Sequence, residues 1–249
     1  MSTFESRKKS RELNEKLIKL ALISAAAISI LTTFGILFSI LFEAIEFFKL
    51  RSFWYFITGT TWSPGVIGSQ FGALPIFAGT FVITIIALGV AIPIGLGSAI
   101  YMSEYASPKV RDYLKPILEI LAGIPSVVYG FFAAITVAPL VVKAAEMVGL
   151  EATFNSALAS GIVMGIMIIP TISSLSDDVI RAVPDSQRKA AFGLGMTHGE
   201  TIKDIVLPSA MPGIISASLL ALSKALGEQM VVVMAAGLRP NLSWNPLEH

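Results

Sequence analysis

The sequence of 249 residues contains no cysteine and only two histidines, and charged residues make up just 14% of it. Without cysteine the chain can form neither disulfide bonds nor thiolate zinc sites, and it has no thiol nucleophile. A soluble domain carries about 25% charged residues, and the mean hydropathy here is +0.76. A net charge of +1 leaves no basic surface for nucleic acid. The composition therefore predicts a protein that lies in the lipid bilayer.

Two motifs that carry chemistry are also missing. The sequence has no G-x-x-x-x-G-K-[S/T] phosphate-binding loop and no H-E-x-x-H metal site. ATP hydrolysis would therefore have to take place in a separate chain, and an intramembrane metalloenzyme is disfavoured. We predict that the protein is not an enzyme, with no catalytic residues, no metal and no cofactor.

What the sequence does contain is apolar stretches long enough to cross a bilayer, for which a helix needs about 20 residues. The five stretches are residues 20–42, the apolar part of the segment between Arg51 and Glu104, 120–142, 152–176 and about 209–237. The last is interrupted only by Lys224 and Glu228. These lengths predict an all-α, polytopic transmembrane helix bundle with five spans.

The positions of Lys and Arg orient the spans, because cytoplasmic segments are enriched in both. With the N-terminus inside, the cytoplasmic segments hold thirteen of these residues and the outer segments hold four. The sequence therefore predicts a cytoplasmic N-terminus. We divide the chain into residues 1–70, which contain the basic lead, the first span and an outer loop, and residues 71–249, which contain the other spans.

Two features concern the packing of the spans. Gly161 and Gly165 have the GxxxG spacing that permits close helix approach. Several prolines lie within spans or at their edges, and either kinked helices around a pathway or the ordinary tolerance of membrane helices for proline accounts for them.

Residues 177–208 form a long loop in this reading, with signals for two short helices. Pro184 predicts a helix start, and Gly195 lies where that helix would end in a left-handed cap. Thr197 and Glu200 have the spacing of a capping box, and Pro208 is expected to stop the second helix. Such a loop is either functional or a solvated connector.

The same loop carries a motif with specific spacing. Lys-Ala-Ala, three residues, Gly, nine residues and then Ile-x-Leu-Pro resembles the EAA loop of ABC importer permeases, E-A-A-x3-G-x9-I-x-L-P. The matching positions are Lys189, Ala190, Ala191, Gly195, Ile205, Leu207 and Pro208. Only the first position departs, because Lys189 replaces the family's glutamate. The resemblance implies that this loop docks on a cytoplasmic ATPase and couples its closure to the spans.

Further runs resemble the phosphate-importer branch of these MetI-like, type I permeases. They are FGALP at 71–75, SEY at 103–105, LAGIPSVVYG at 121–130 and ALGE at 225–228. The resemblance implies a bacterial inner-membrane permease that pairs with a second, homologous permease, two copies of an ATPase and a periplasmic phosphate-binding protein. It also implies a sixth span that is missing at the C-terminus, with residues 247–249 as a tag scar or a cut point.

Lys224 and Glu228 are the charged pair within the fifth stretch. A spacing of four predicts that they lie on one helical face, and charges inside a membrane normally face a polar interior. Lys224 supplies the positive charge that a dehydrated oxyanion needs, whereas the family usually has arginine there. The pair is either part of the substrate pathway or a structural ion pair. Gly227 between the two charges permits either local unwinding or close packing.

The sequence features described so far are also compatible with two other functions. A permease for sulfate or molybdate would share the EAA loop, and so the choice of phosphate depends on the resemblance. A proton- or sodium-coupled secondary transporter would be favoured by inverted repeats and by titratable residues in several spans, whereas here only one span carries charges.

Overall fold

A computed structural model describes residues 2–65, 69–238 and 240–247, without the side chains of residues 2–13. The chain forms two compact units, Met1–Ile57 and Thr58–His249. The division after residue 70 thus remains a prediction, and the last two residues of the predicted cut point, Glu248 and His249, lie outside the described residues.

The first unit is dominated by one long helix, α1 (Ser2–Leu50). Its segment Asn14–Leu50 is apolar enough to cross a membrane, and its side chains are largely exposed within the unit. The chain then enters the short helix α2 (Phe53–Thr58). Phe48 packs edge-to-face on Phe53 and Phe56 with ring centroids 5.3 and 5.5 Å apart. This aromatic contact fixes the turn between the two helices.

The second unit begins with a two-residue antiparallel pair, β1 (Trp62–Ser63) and β2 (Gln70–Phe71), in which Trp62 pairs with Phe71. Nine helices follow among the described residues. They are α3 (Leu74–Ile100), α4 (Pro108–Gly123), α5 (Ser126–Phe132), α6 (Ala138–Met147), α7 (Ala157–Ala182), α8 (Asp185–Gly193), α9 (His198–Thr201), α10 (Leu207–Gly227) and α11 (Met230–Ala235). Single π-helical turns extend α3, join α5 to α6 and join α9 to α10.

Five described helices have the length and composition of membrane spans, as predicted. We call them the first to fifth spans: Asn14–Leu50, Leu74–Tyr105, Ser126–Met147, Ala157–Ala182 and His198–Gly227. The third begins later than expected because Ile124, which precedes Pro125, has an extended backbone. Residues 120–123 therefore end α4 instead.

The predicted bounds of the loop, residues 177–208, are wrong. The fourth span continues to Ala182, and the fifth already begins at His198, so that the connection covers only residues 183–197. Pro208 does not stop a helix. The π-helical turn Ile202–Val206 ends two residues before Pro208, and such π adjustments satisfy the backbone groups that a proline leaves unpaired in a membrane helix.

The core of the second unit is the seam between α3 and α7. Ala87 and Ala91 are fully buried on α3, and Gly161 and Gly165 are buried on α7. A Cβ atom at Gly165 would lie 2.9 Å from the carbonyl oxygen of Ala87. The predicted GxxxG contact is therefore confirmed, and small side chains let the two backbones approach closely.

We expect Gly165→Ala to destabilise the second unit by about 1–3 kcal/mol, the usual cost of overpacking, since the added methyl group meets backbone. Thermal unfolding of the detergent-solubilised protein measures this. Gly97→Ala is the matched control, because a Cβ at Gly97 on α3 meets nothing within 4 Å. Equal melting temperatures for the two variants would contradict the close approach.

Candidate functional site

The segment that carries most of the EAA motif is α8 and the turn that follows it. α8 ends at Gly193, and Gly195 takes a positive φ of 84°. The amide of Met196 donates to the carbonyl oxygen of Ala191 at 3.1 Å, and that of Gly195 donates to Phe192 at 3.0 Å. This left-handed cap was predicted, and it reverses the chain between α8 and α9.

The capping box after this turn is also confirmed, although it starts the fifth span rather than a short loop helix. The Thr197 amide and hydroxyl both donate to the Glu200 carboxylate at 2.8 Å, and the Glu200 amide donates to Thr197 Oγ1 at 3.4 Å. The turn after α8 therefore leads directly into the fifth span.

Arg188 on α8 makes the densest set of polar contacts in this region. Its Nη2 donates to Glu104 Oε1 at 2.8 Å and to the carbonyl oxygen of Ile180 at 2.9 Å, and its Nη1 donates to the carbonyl oxygen of Val183. Glu104 lies at the end of the second span, while Ile180 and Val183 lie at the end of the fourth. The imidazole of His198 is a further neighbour, with Nε2 3.9 Å from Glu104 Oε2.

A second group of ion pairs attaches α4 to the fourth span. Arg111 donates to Asp177 at 2.7 Å, and Lys115 donates to Asp178 at 2.8 Å. Asp177 is only 1% exposed. The hydrogen bond to Asp177, together with the carboxylate charges nearby, raises the pKa of Arg111 above its ordinary value despite some burial. Arg111 therefore stays charged, and α4 is fixed against α7.

Glu228 and Gln229 lie in a different part of the unit, on a cleft of about 440 Å³ between the second span, the fifth span and α11. Thr80 and Thr84 line the same cleft. The fifth span ends at Gly227, and Glu228 is extended with φ −79° and ψ 122°. Its Oε1 accepts hydrogen bonds from the amides of Met230 at 3.0 Å and Val231 at 3.3 Å, which caps α11.

The helix that carries Lys224 ends at Gly227, and Glu228 is the residue that caps its end, so a common helical face for the two side chains stays a prediction. Among the described residues no ion pair joins the two side chains. A Cβ at Gly227 would meet nothing within 4 Å, so Gly227 makes no close packing contact within this chain. Lys224 is exposed in the single chain, and Glu228 is half-buried.

The predicted EAA positions divide by exposure. Ala191 is buried, Ile205 and Leu207 are half-buried, and the others are exposed, namely Lys189, Ala190, Gly195 and Pro208. The turn and the start of the fifth span bring these seven positions into one continuous segment. Lys224 and Glu228 lie about five turns further along the fifth span or beyond it.

Sequence reasoning missed the charged residues that hold this segment in place. Glu104 and Arg188 are separated by 84 residues, and Arg111 and Asp177 by 66. The available signal was that Glu104 and Asp177 directly border an apolar stretch, where ionisable side chains find partners at span ends.

Comparisons with known proteins agree with this architecture. Residues 91–242 match the family described as "Binding-protein-dependent transport system inner membrane component". The "Probable ABC transporter permease protein YqgH" of Bacillus subtilis is 32% identical over 98% of this chain and 78% of that protein. The "Phosphate transport system permease protein PstC" of Mesorhizobium japonicum is 34% identical over 86% of this chain and 69% of that protein.

Among solved structures, one titled "Crystal structure of an amino acid ABC transporter with histidines" matches with a TM-score of 0.43 and 20% identity. The match covers 66% of this chain and 74% of that one.

The chain belongs to the family of binding-protein-dependent transport system inner membrane components, the permease subunits of ABC importers. It is thus a multi-pass membrane protein and a transport component rather than an enzyme.

We expect Gly195→Ala to destabilise the turn after α8 by about 1 kcal/mol, because an L side chain is strained at its positive φ. Faster hydrogen exchange across residues 185–197 would report this change. Gly193→Ala, two residues earlier and with open space around a Cβ, is the control. The assigned cap would be wrong if both variants exchanged at the wild-type rate.

Proposed function

We propose that this permease forms one half of the translocation pathway of an ATP-driven phosphate importer. The observation that carries the proposal is the set of relatives named as phosphate transport system permease proteins PstC, which are 30–34% identical to this chain. The other half is a homologous, PstA-like permease. The low charge and long apolar helices of this chain suit a bundle that shields a phosphate path from lipid.

The remaining partners are those that the resemblance to phosphate-importer permeases implies. The sequence has no phosphate-binding loop for ATP, so ATP hydrolysis belongs to a separate chain, and the resemblance implies two copies of a PstB-like cytoplasmic ATPase. A PstS-like periplasmic binding protein delivers phosphate. The importer resides in a bacterial inner membrane, and the excess of Lys and Arg on alternate segments puts the N-terminus of this chain in the cytoplasm.

α8 and its turn form the surface that meets the ATPase. Lys189 and Ala190 are exposed on α8, and Leu194 is 84% exposed at its end. The buried Ala191 holds the helix against the bundle while its outer face stays accessible. Lysine in place of the family's glutamate at position 189 reverses the charge presented to the ATPase, and so we expect the facing ATPase residue to be acidic or uncharged.

The substrate pathway runs past the end of the fifth span, where Lys224 and Glu228 lie. Lys224 provides the positive charge that a phosphate anion requires on leaving water. Glu228 shapes the cleft by capping α11, and its negative charge would repel an anion held beside it. Lys224 therefore attracts the anion, and Glu228 acts by positioning α11.

Phosphate uptake tests the substrate assignment directly. The gene for this chain, expressed with its partner genes in bacteria that lack their own phosphate importer, should restore uptake of labelled phosphate. Excess arsenate, a close mimic, should compete, whereas excess sulfate and molybdate should not. If an assembled complex took up labelled sulfate or molybdate instead, that oxyanion would be the substrate and the assignment of phosphate would be wrong.

Variants of the two charged residues separate their roles. Lys224→Ala should lower uptake in an assembled complex. Glu228→Gln, whose amide oxygen still caps α11, should retain more activity than Glu228→Ala, which loses a cap of about 1 kcal/mol.

The matched controls for these variants are Lys143→Ala and Glu146→Ala on α6, both exposed and outside the ion pairs of the described residues. Their uptake should equal that of the wild type. If uptake by Lys224→Ala were unchanged, Lys224 would not be part of the substrate pathway. If Glu228→Gln and Glu228→Ala lost equal uptake, Glu228 would act through its negative charge and not by capping α11.

A further inference from the structure

One guanidinium group joins α8 to the ends of two membrane spans. Arg188 pairs with Glu104 at the end of the second span and donates to the carbonyl oxygens of Ile180 and Val183 at the end of the fourth. These carbonyls belong to the last turn of α7 and its cap, where the donors four residues further along a helix are missing; the Ile180 carbonyl oxygen also accepts a hydrogen bond of 3.3 Å from the Val183 amide. We call Glu104, Arg188, Ile180 and Val183 the α8 joint.

The α8 joint is nearly closed to water. The side chain of Glu104 is 6% exposed and that of Arg188 is 16% exposed. Charges in such a place are tolerated only when they are paired and hydrogen-bonded, and removal of one partner leaves the other charge uncompensated. Each of these hydrogen bonds is charge-assisted and directional. The bonds of the α8 joint therefore either stay intact or break, and α8 does not shift gradually against the two spans.

The α8 joint lies next to the EAA motif along the chain, and it therefore couples movements of α8 to the spans. Arg188 directly precedes Lys189, the first position of the EAA motif, and the second and fourth spans are themselves packed along the α3–α7 seam. A displacement of α8 must therefore carry these two spans with it or break the joint. A separate hydrogen bond of 3.0 Å from Ser209 to Gln187 links α8 to the fifth span.

We propose that Arg188 is a positioning residue that transmits the movement of α8 to the second and fourth spans during transport. The inference rests on the proposed docking of α8 on the ATPase. Arg188 need not touch the ATPase or the substrate, and it acts through Glu104 and the end of the fourth span.

The test uses the complete importer, purified and reconstituted in vesicles, with ATP hydrolysis and phosphate uptake measured together. Arg188→Met removes the cation but leaves the buried Glu104 without its arginine partner, and so it is compared with the double variant Glu104→Gln/Arg188→Met, in which no buried charge is left unpaired. The other carboxylate beside Arg188, that of Asp185 at 3.5 Å, is 82% exposed and stays solvated in both variants. Arg181→Met is the matched control, since Arg181 lies in the last turn of the fourth span, is exposed and has no ion pair among the described residues.

We expect the double variant to assemble and hydrolyse ATP while phosphate moved per ATP falls about tenfold, a usual size for lost coupling between two sites. Arg188→Lys should recover part of the loss, and Arg181→Met should match the wild type. If the two charges act as one joint, the double variant should be no worse than Arg188→Met.

Wild-type phosphate per ATP in an assembled double variant would overturn the inference and leave Arg188 with a structural role. Loss of the ATPase from the double variant would also overturn it, because the residue would then serve docking rather than transmission. Failure of the wild-type complex to move phosphate at all would instead contradict the proposed function.

Discussion

The rest of the second unit depends on the close approach of α3 and α7. In a bilayer there is no hydrophobic force between helices, and so association relies on van der Waals contact between well-fitted surfaces. Ala87, Ala91, Gly161 and Gly165 provide that contact by keeping side chains small where the backbones meet. α7 is the most buried of the spans, and the remaining helices of the unit pack around it.

Polar groups are concentrated where this seam reaches its end. Asp177, which is buried on α7, fixes α4 through Arg111, and the last carbonyl groups of α7 bind Arg188 of α8. The helix that we propose as the ATPase contact is therefore attached to the most buried element of the unit rather than to a flexible loop. At the opposite end of the fifth span, Gly227 and Glu228 end the helix and open a cleft.

Local patterns in the sequence predicted the features that depend on local physics. Five apolar stretches gave five helices, and the Thr197–Glu200 capping box and the Gly195 cap were found where their spacing placed them. One prediction was wrong because the rule that a proline stops a helix leaves out π turns: the turn Ile202–Val206 accommodates Pro208 within the fifth span. The Glu104–Arg188 pair spans 84 residues, so that only the packed fold brings it together.

The central claim is that α8 and the end of the second span move as one body, and a distance measurement tests it most directly. Because the sequence has no cysteine, spin labels can be placed on Ser107→Cys and Ser186→Cys alone, both at exposed positions flanking the α8 joint. Electron–electron resonance on the assembled importer then compares the nucleotide-free and ATP-bound states. The account predicts the same distance in both states, whereas a shift of several ångströms on ATP binding would contradict it.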